Sequence, residues 1–281
     1  MKQSSFEINI VATPIGNLND ISKRAIETIE SGDIIICENP KHSLKLLNKL
    51  GIKKKLISIH DHNEQIIIDR LSKDLFNKKI VLISDAGSPL ISDPGFKFIK
   101  HCIKNNIQIT TVPGPTSIIS ALQLSGIPVN EFFFAGFFPK SKKETLNFIK
   151  KIKNNDKTSV FFVSNHKLER CLELLETEIN DRLISLSKEL TKINEKTFRG
   201  LAVKIKEKLF ENKDNFKGEF VVVVEGNSLK ETLSNDLNYL DEEIYKLLSK
   251  FSLTDVVEIV HKLTGITKNK VYKWVLNLKN S

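Results

Sequence analysis

Small, polar and acidic residues concentrate in three loops: Ala12-Thr13-Pro14-Ile15-Gly16-Asn17-Leu18, Ser84-Asp85-Ala86-Gly87-Ser88-Pro89-Leu90-Ile91-Ser92-Asp93-Pro94-Gly95 and Val112-Pro113-Gly114-Pro115-Thr116-Ser117. Gly lacks a Cβ and Pro pre-sets φ, so these loops let a ligand touch backbone amides and carbonyls closely. The chemistry on offer is therefore binding through main chain, with hydroxyls and carboxylates beside it. Other chemistries lack their residues. There is no G-x-G-x-x-G, no G-x-x-x-x-G-K-[ST], no G-x-S-x-G and no H-E-x-x-H. His60-Asp61-His62-Asn63-Glu64 is the one metal-like cluster, and two His without a clear third ligand do not predict a metal.

The elements that hold these loops follow one grammar. Each loop comes after a short apolar run and before a segment of helical period, as in a parallel α/β sheet. Strands are predicted at Ile8–Val11, Asp33–Cys37, Leu56–Ile59, Ile80–Ser84 and Ile107–Val112, with helices at Asp20–Ser31, His42–Leu50, Glu64–Phe76, Pro94–Asn105 and Thr116–Leu124. Five such units predict an open parallel sheet covered on both faces, with ligands beyond the carboxyl ends of its strands. Gly126-Ile127-Pro128-Val129-Asn130 reads as a linker to a second α/β region. There the strand candidates are Glu131–Ala135, Thr158–Val163, Leu183–Leu186 and Glu219–Val224, and the helical patterns Lys142–Ile152, Lys167–Glu176 and Leu201–Phe210. After a polar stretch around Ser228–Asn238, Ser252-Leu253-Thr254-Asp255 opens a helix that stops at Gly265, and a second runs from Lys268 to Leu278. The expected organisation is 1–127 and 128–228 as α/β domains and 239–281 as a small basic helical region.

The bulk numbers are those of an ordinary globular protein of 281 residues, 40% hydrophobic and 27% charged. No apolar run approaches the ~20 residues of a membrane helix, so no membrane association is expected. The N-terminus shows no signal-peptide pattern, and Cys37, Cys102 and Cys171 are scattered, which suits a reducing cytoplasm. A net charge of +9 admits an anionic partner such as nucleic acid. The excess of Lys over Arg, with abundant Ile and Asn, is also what AT-rich coding produces. Lys268, Lys270 and Lys273, in a stretch with no acid after His261, are the C-terminal candidates for nucleic-acid contact.

The motifs, taken in order, resemble one family. Ala12 to Ile21 with Arg24-Ala25, Ser84 to Gly95, Val112 to Ser117, Gly136-Phe137-Phe138-Pro139-Lys140, Lys188-Glu189-Leu190-Thr191-Lys192, Phe198-Arg199-Gly200 and Lys217-Gly218-Glu219-Phe220 are similar to those of the small-subunit ribosomal RNA methyltransferases I, within the tetrapyrrole-methylase (class III) superfamily. The resemblance spans essentially the whole chain. It implies two α/β domains with a cofactor cleft between them and a C-terminal helical segment. It also implies S-adenosylmethionine as methyl donor, the 2′-hydroxyl of a decoding-site cytidine in the 16S rRNA of the 30S ribosomal subunit as acceptor, and a homodimer.

The residues fit that cofactor. It carries no phosphate and needs backbone groups, polar partners and an apolar wall. Ile15, Ile91 and Phe137 suit the wall; Asp85, Ser88, Thr116 and Ser117 suit the polar contacts; Pro14, Gly87, Ser164, Gly218 and Glu219 complete the expected cofactor set. The hydroxyls at 88, 116 and 117 would otherwise cap the helices that follow. Methyl transfer to a hydroxyl must align the oxygen and remove one proton. Glu38, Asp93 and Glu189 are the carboxylates in motif loops, and Lys41, Lys192 and Arg199 are candidates for RNA phosphate or a developing alkoxide. Glu189 has an ion-pair or capping role as its alternative.

Two segments depart from the family. Glu38-Asn39-Pro40-Lys41 stands where relatives carry Glu-Asp-Thr-Arg, and Phe162-Val163-Ser164-Asn165-His166-Lys167 where they carry Tyr-Glu-Ser-Pro-His-Arg. Neither Asn39 nor Val163 can act as a base. Two alternatives follow: the same fold with another acceptor (a tetrapyrrole or a diphthamide precursor), and a non-catalytic RNA-binding assembly factor.

Overall fold

Ile34, Ile35, Ile36 and Cys37 are all buried, so the strand they form must be covered on both faces. In the computed structural model, which describes residues 7–71, 78–227 and 240–280, this strand lies inside a five-stranded sheet of order β3-β2-β4-β1-β5. The strands are β1 (Glu7–Val11), β2 (Ile34–Cys37), β3 (Lys55–Ser58), β4 (Lys79–Ile83) and β5 (Gln108–Val112), all parallel. Successive side chains point to opposite faces. Ile34 and Ile36 pack with Ile67, Phe98 and Cys102 from α3 (Glu64–Leu71) and α4 (Phe96–Lys104). Ile35 and Cys37 pack with Ala25, Ile29 and Leu47 from α1 (Lys23–Ser31) and α2 (Pro40–Lys49). The expected five β-α units are all present; the tail of the helix predicted over Glu64–Phe76 falls outside the described residues, as does the polar stretch around Ser228–Asn238.

The fifth helix, α5 (Ser117–Ser125), leaves the first sheet. Its buried Ile118, Ala121 and Leu122 pack with Val160, Val221 and Val223 of the second sheet. That sheet has order β6-β7-β10-β8-β9, from β6 (Phe132–Phe137), β7 (Thr158–Ser164), β8 (Ile184–Lys188), β9 (Lys196–Gly200) and β10 (Glu219–Val224). Only the β6–β7 pair is parallel; β7–β10, β10–β8 and β8–β9 are antiparallel. β9 carries the Phe198-Arg199-Gly200 motif and was not among the expected strands. Helices α6 (Lys142–Lys153), α7 (Asn165–Glu178) and α8 (Ala202–Phe210) bury Ile149, Ile152, Leu168, Leu172, Leu175, Ile205 and Leu209 with Phe161, Leu186 and Val222 of the strands.

The chain divides into two compact units, 1–153 with 158–225, and 154–157 with 226–281. In the second, α9 (Asp241–Leu248), α10 (Leu253–Thr264) and α11 (Lys268–Asn280) bury Ile244, Val256, Val260, Val271 and Val275 together. Ser252 caps α10 as its sequence predicts, accepting from the Asp255 amide, and Gly265 ends it at φ 72°. The Trp274 indole donates to Asp241 at 3.0 Å. No described helix is long and apolar enough to cross a membrane.

The loop after β1 is clamped to the second sheet. Asn17 N–H donates to the Thr191 hydroxyl at 3.1 Å. A Cβ on Gly16 would stand 2.5 Å from Lys192 Cγ, 2.7 Å from Thr191 Oγ1 and 2.9 Å from the Leu190 carbonyl. Gly16→Ala is therefore expected to destabilise the protein by about 1–3 kcal/mol through overpacking, seen as a lowered Tm in thermal denaturation; an unchanged Tm would show that this approach carries no strain.

Candidate active site

Strands β4, β1 and β5 are adjacent and parallel, so their following loops emerge at one edge of the sheet with the β1 loop in the middle. Backbone groups lock the β1 and β4 loops together. Thr13 N–H donates to the Gly87 carbonyl at 2.9 Å, and Gly87 N–H returns a bond to Thr13 at 3.0 Å. The buried Thr13 hydroxyl donates to the Ser84 carbonyl at 3.2 Å, and the Ser84 hydroxyl to the Gly87 carbonyl at 3.0 Å. Gly87 has φ 80°, where a side chain would be strained. On the other flank Ala12 N–H donates to the Val112 carbonyl at 3.2 Å, and a Cβ on Gly114 would lie 3.0 Å from that of Ala12.

These loops and the adjoining edge of the second sheet enclose a cleft of about 590 Å³. Ile15, Ile91 and Phe137 line it on its apolar side, together with Phe162, Val163, Leu190 and Val221. Asp85, Gly87, Ser88, Thr116, Ser117, Ser164, Gly218 and Glu219 also line it, and so do Glu38 and Asp93. Thr116 and Ser164 are the N-caps of α5 and α7, yet neither side chain makes a capping bond. Among the described residues no lysine or arginine lines the cleft. Left-handed backbone at the non-glycine residues Leu90, Ser92, Glu189 and Thr191 clusters in its bordering loops, a conformation that persists only where surrounding packing over-determines it.

Several expected residues fall elsewhere. Pro14 lines a neighbouring groove rather than the cleft. Glu189 does not line the cleft; it pairs with Lys192 at 3.0 Å and accepts from the Glu219 amide at 2.9 Å. Burial alone would raise its pKa, but those two partners outweigh it and hold the carboxyl below its ordinary value. Gly218, at φ 112°, leaves space for that carboxylate: a Cβ there would stand 2.7 Å from Glu189 Oε1. Lys192 is tied to both Glu189 and Glu219, each at 3.0 Å. Arg199 is tethered through Nε to the Leu124 carbonyl at 2.6 Å, fastening the end of α5 to β9. Lys41 stands exposed in the first turn of α2. Lys268, Lys270 and Lys273 lie on α11 in the separate helical unit, where Lys268 is 3.9 Å from Glu258.

The departures have structural explanations. Asn39 is the N-cap of α2, accepting from the Lys41 and His42 amides at 3.1 and 3.4 Å; Asn serves there as well as Asp. Its own N–H donates to Asp85 at 3.3 Å. Val163 is buried in β7. In the His60–Glu64 segment, Asn63 bonds the Ser58 carbonyl and the His60 amide, and buried Glu64 accepts from the Phe98 amide at 3.0 Å.

The carboxylates are the electrostatic centre of the cleft. Burial, then the charges of Glu38 and Asp85, pushes Asp93 up to about 7. Asp93 Oδ2 is buried without a hydrogen-bond partner. Burial and the charges of Asp85 and Asp61 also raise Glu38. Sequence pattern named both residues but not the repulsion between them, which arises only when the β2 and β4 loops meet. It also missed Phe162, Leu190 and Val221, which pattern as ordinary core.

Residues 7–206 match the model of the tetrapyrrole (corrin/porphyrin) methylases. A ribosomal RNA small subunit methyltransferase I from Haemophilus influenzae is 37% identical over 95% of both chains, and one from Escherichia coli O157:H7 is 35% identical over 97% of this chain and 96% of its own. The chain belongs to the tetrapyrrole methylase family. The family is one of methyltransferases, and its fold recurs in solved structures of low sequence identity. A diphthine synthase aligns with TM-score 0.59 at 15% identity, covering 79% of this chain and 90% of its own. A uroporphyrin-III C-methyltransferase from Thermus thermophilus aligns with TM-score 0.54 at 16% identity, covering 78% and 94%.

The raised Asp93 has a measurable consequence. Its folded pKa, about 7, lies above its ordinary 3.8, so the folded state holds a proton that the unfolded chain has released, and stability falls as pH rises from about 4 to 7. Asp93→Asn removes this loss. Thermal melts across that range are expected to show the variant gaining Tm on the wild type as pH rises; parallel curves would refute the shift.

Proposed function

We propose that this chain transfers a methyl group from S-adenosylmethionine to the ribose 2′-hydroxyl of a decoding-site cytidine in 16S rRNA, acting in the cytoplasm as a homodimer. The observation that carries the reading is end-to-end similarity, 37% identity over 95% of both chains, to a relative named as a ribosomal RNA small subunit methyltransferase. The cleft supports the choice of donor. S-adenosylmethionine carries a cationic sulfonium and an ammonium, and the lining offers Glu38 and Asp85, with no lysine or arginine among the described residues to oppose them. Phe137 adds an aromatic ring for a cation to rest against. The hydroxyls of Ser88, Thr116 and Ser117 suit the ribose and the amino-acid tail, and Ile15, Ile91 and Val221 an apolar wall. Exposed Ile66, Phe96 and Ile103, on the adjacent helices α3 and α4, give apolar surface for a second copy.

Bound S-adenosylmethionine supplies an electrophilic methyl group on a good leaving group. The protein's residues supply the rest. The enclosed cleft restricts the approach of the acceptor oxygen, and alignment of that kind is worth several kcal/mol of barrier, about 7 or more in the best cases. Asp93, whose carboxylate lines the cleft, takes the hydroxyl proton. A pKa of about 7 suits a base that must accept a proton and return it to solvent at neutral pH. Burial first, and then repulsion from Glu38 and Asp85, keeps that pKa high.

The test is transfer of radiolabelled methyl to 30S subunits lacking this modification, followed by nucleoside analysis. Label is expected in 2′-O-methylcytidine. Label in a tetrapyrrole or a protein acceptor instead, or no cofactor binding at millimolar concentration, would overturn the reading. In the same assay Asp93→Asn is expected to lower kcat by about 10²-fold or more with the cofactor Kd nearly unchanged; a loss confined to cofactor binding would remove Asp93 from the role of base.

A further inference from the structure

A second groove, of about 330 Å³, opens beside the cleft and shares Ile15, Asp85, Ala86 and Glu219 with it. Its far wall is one face of α2, from which His42, Lys45 and Lys49 line it. Their i, i+3, i+7 spacing stacks them along the helix, and all three are exposed. Lys45 and Lys49 ion-pair with no carboxylate among the described residues. The two compartments thus differ in charge. Among the described residues the cleft is lined by carboxylates and by no lysine or arginine, whereas the groove is also lined by Lys45 and Lys49.

We infer that the groove is a phosphodiester-binding subsite, in which Lys45 and Lys49 hold the RNA backbone beside the acceptor nucleotide while its ribose enters the cleft. The inference rests on the reading above that RNA is the acceptor. A polynucleotide has the required alternation, a neutral ribose hydroxyl flanked by anionic phosphates. Continuity of the two cavities through Ile15 and Asp85 lets one strand occupy both. Lys192 also lines the groove, but its ammonium is already bound between Glu189 and Glu219. Lys41, the cation in the motif segment, precedes His42 and does not line the groove. Backbone contacts of this kind set affinity and register rather than base identity.

The experiment compares wild type, Lys45→Gln/Lys49→Gln, Lys45→Arg/Lys49→Arg and a control of equal charge loss, Lys143→Gln/Lys150→Gln on the exposed face of α6, in methyl transfer to unmodified 30S subunits over a salt series. The glutamine pair is expected to raise KM for 30S by about tenfold, leave kcat and cofactor Kd within about twofold, and lower the salt slope of log(kcat/KM) by about 2, one for each phosphate that is no longer neutralised. The arginine pair is expected to restore both, and the control to change neither. If wild type methylates 30S and the glutamine pair keeps its KM and slope, or loses no more than the control, the inference is overturned and the reading stands. If wild type methylates no 30S, the reading fails and the inference with it.

Discussion

Close packing around Gly16 is the constraint on which the rest of the structure depends. A chain segment at that point has Leu190, Thr191 and Lys192 within van der Waals reach of where a Cβ would be. Only a residue without a side chain lets the β1 loop reach the second sheet. Because the same loop is bridged to Gly87 on one flank and pressed against Gly114 on the other, fixing it fixes all three loops of the first sheet. The cleft is therefore a property of backbone approach. Interiors packed to this density transmit small displacements rather than absorbing them, so the acidic groups of the β2 and β4 loops are held where they repel one another.

That repulsion organises the chemistry. The positive chain of +9 gathers carboxylates at its centre and distributes lysines outside. The same division explains why Lys192, although next to the cleft, does not disturb it: its charge is spent on Glu189 and Glu219. Glu189, in turn, is a structural anion. It sits in space that Gly218 vacates and ties the β8–β9 connection to the start of β10.

The first sheet was readable because each unit announced itself locally: an apolar run, a Gly- or Pro-rich turn, then an amphipathic helix. The cleft loops were readable for the same reason, and most of the residues expected to hold the cofactor line one cavity. What was not readable depended on partners distant in sequence. Strand direction in the second sheet is set by pairing, and Glu219–Val224 has the same pattern whether its neighbours run parallel or antiparallel. The membership of α5 is decided by which sheet offers Val160, Val221 and Val223. Arg199 looks like a free cation until Leu124, 75 residues away, is beside it. Lys45 and Lys49 carry no motif; only the fold brings them to one groove.

The allegiance of α5 also orders events during synthesis. The first sheet contains its own strands by Val112 and can close as soon as they have emerged. Ile118, Ala121 and Leu122 cannot be covered then, because the strand that receives them ends at Val224. At about 5–20 residues per second, the nascent chain carries an uncovered apolar helix for several seconds after its amino-terminal sheet is complete. The cleft, whose walls come from both sides of that delay, is among the last parts of the molecule to exist.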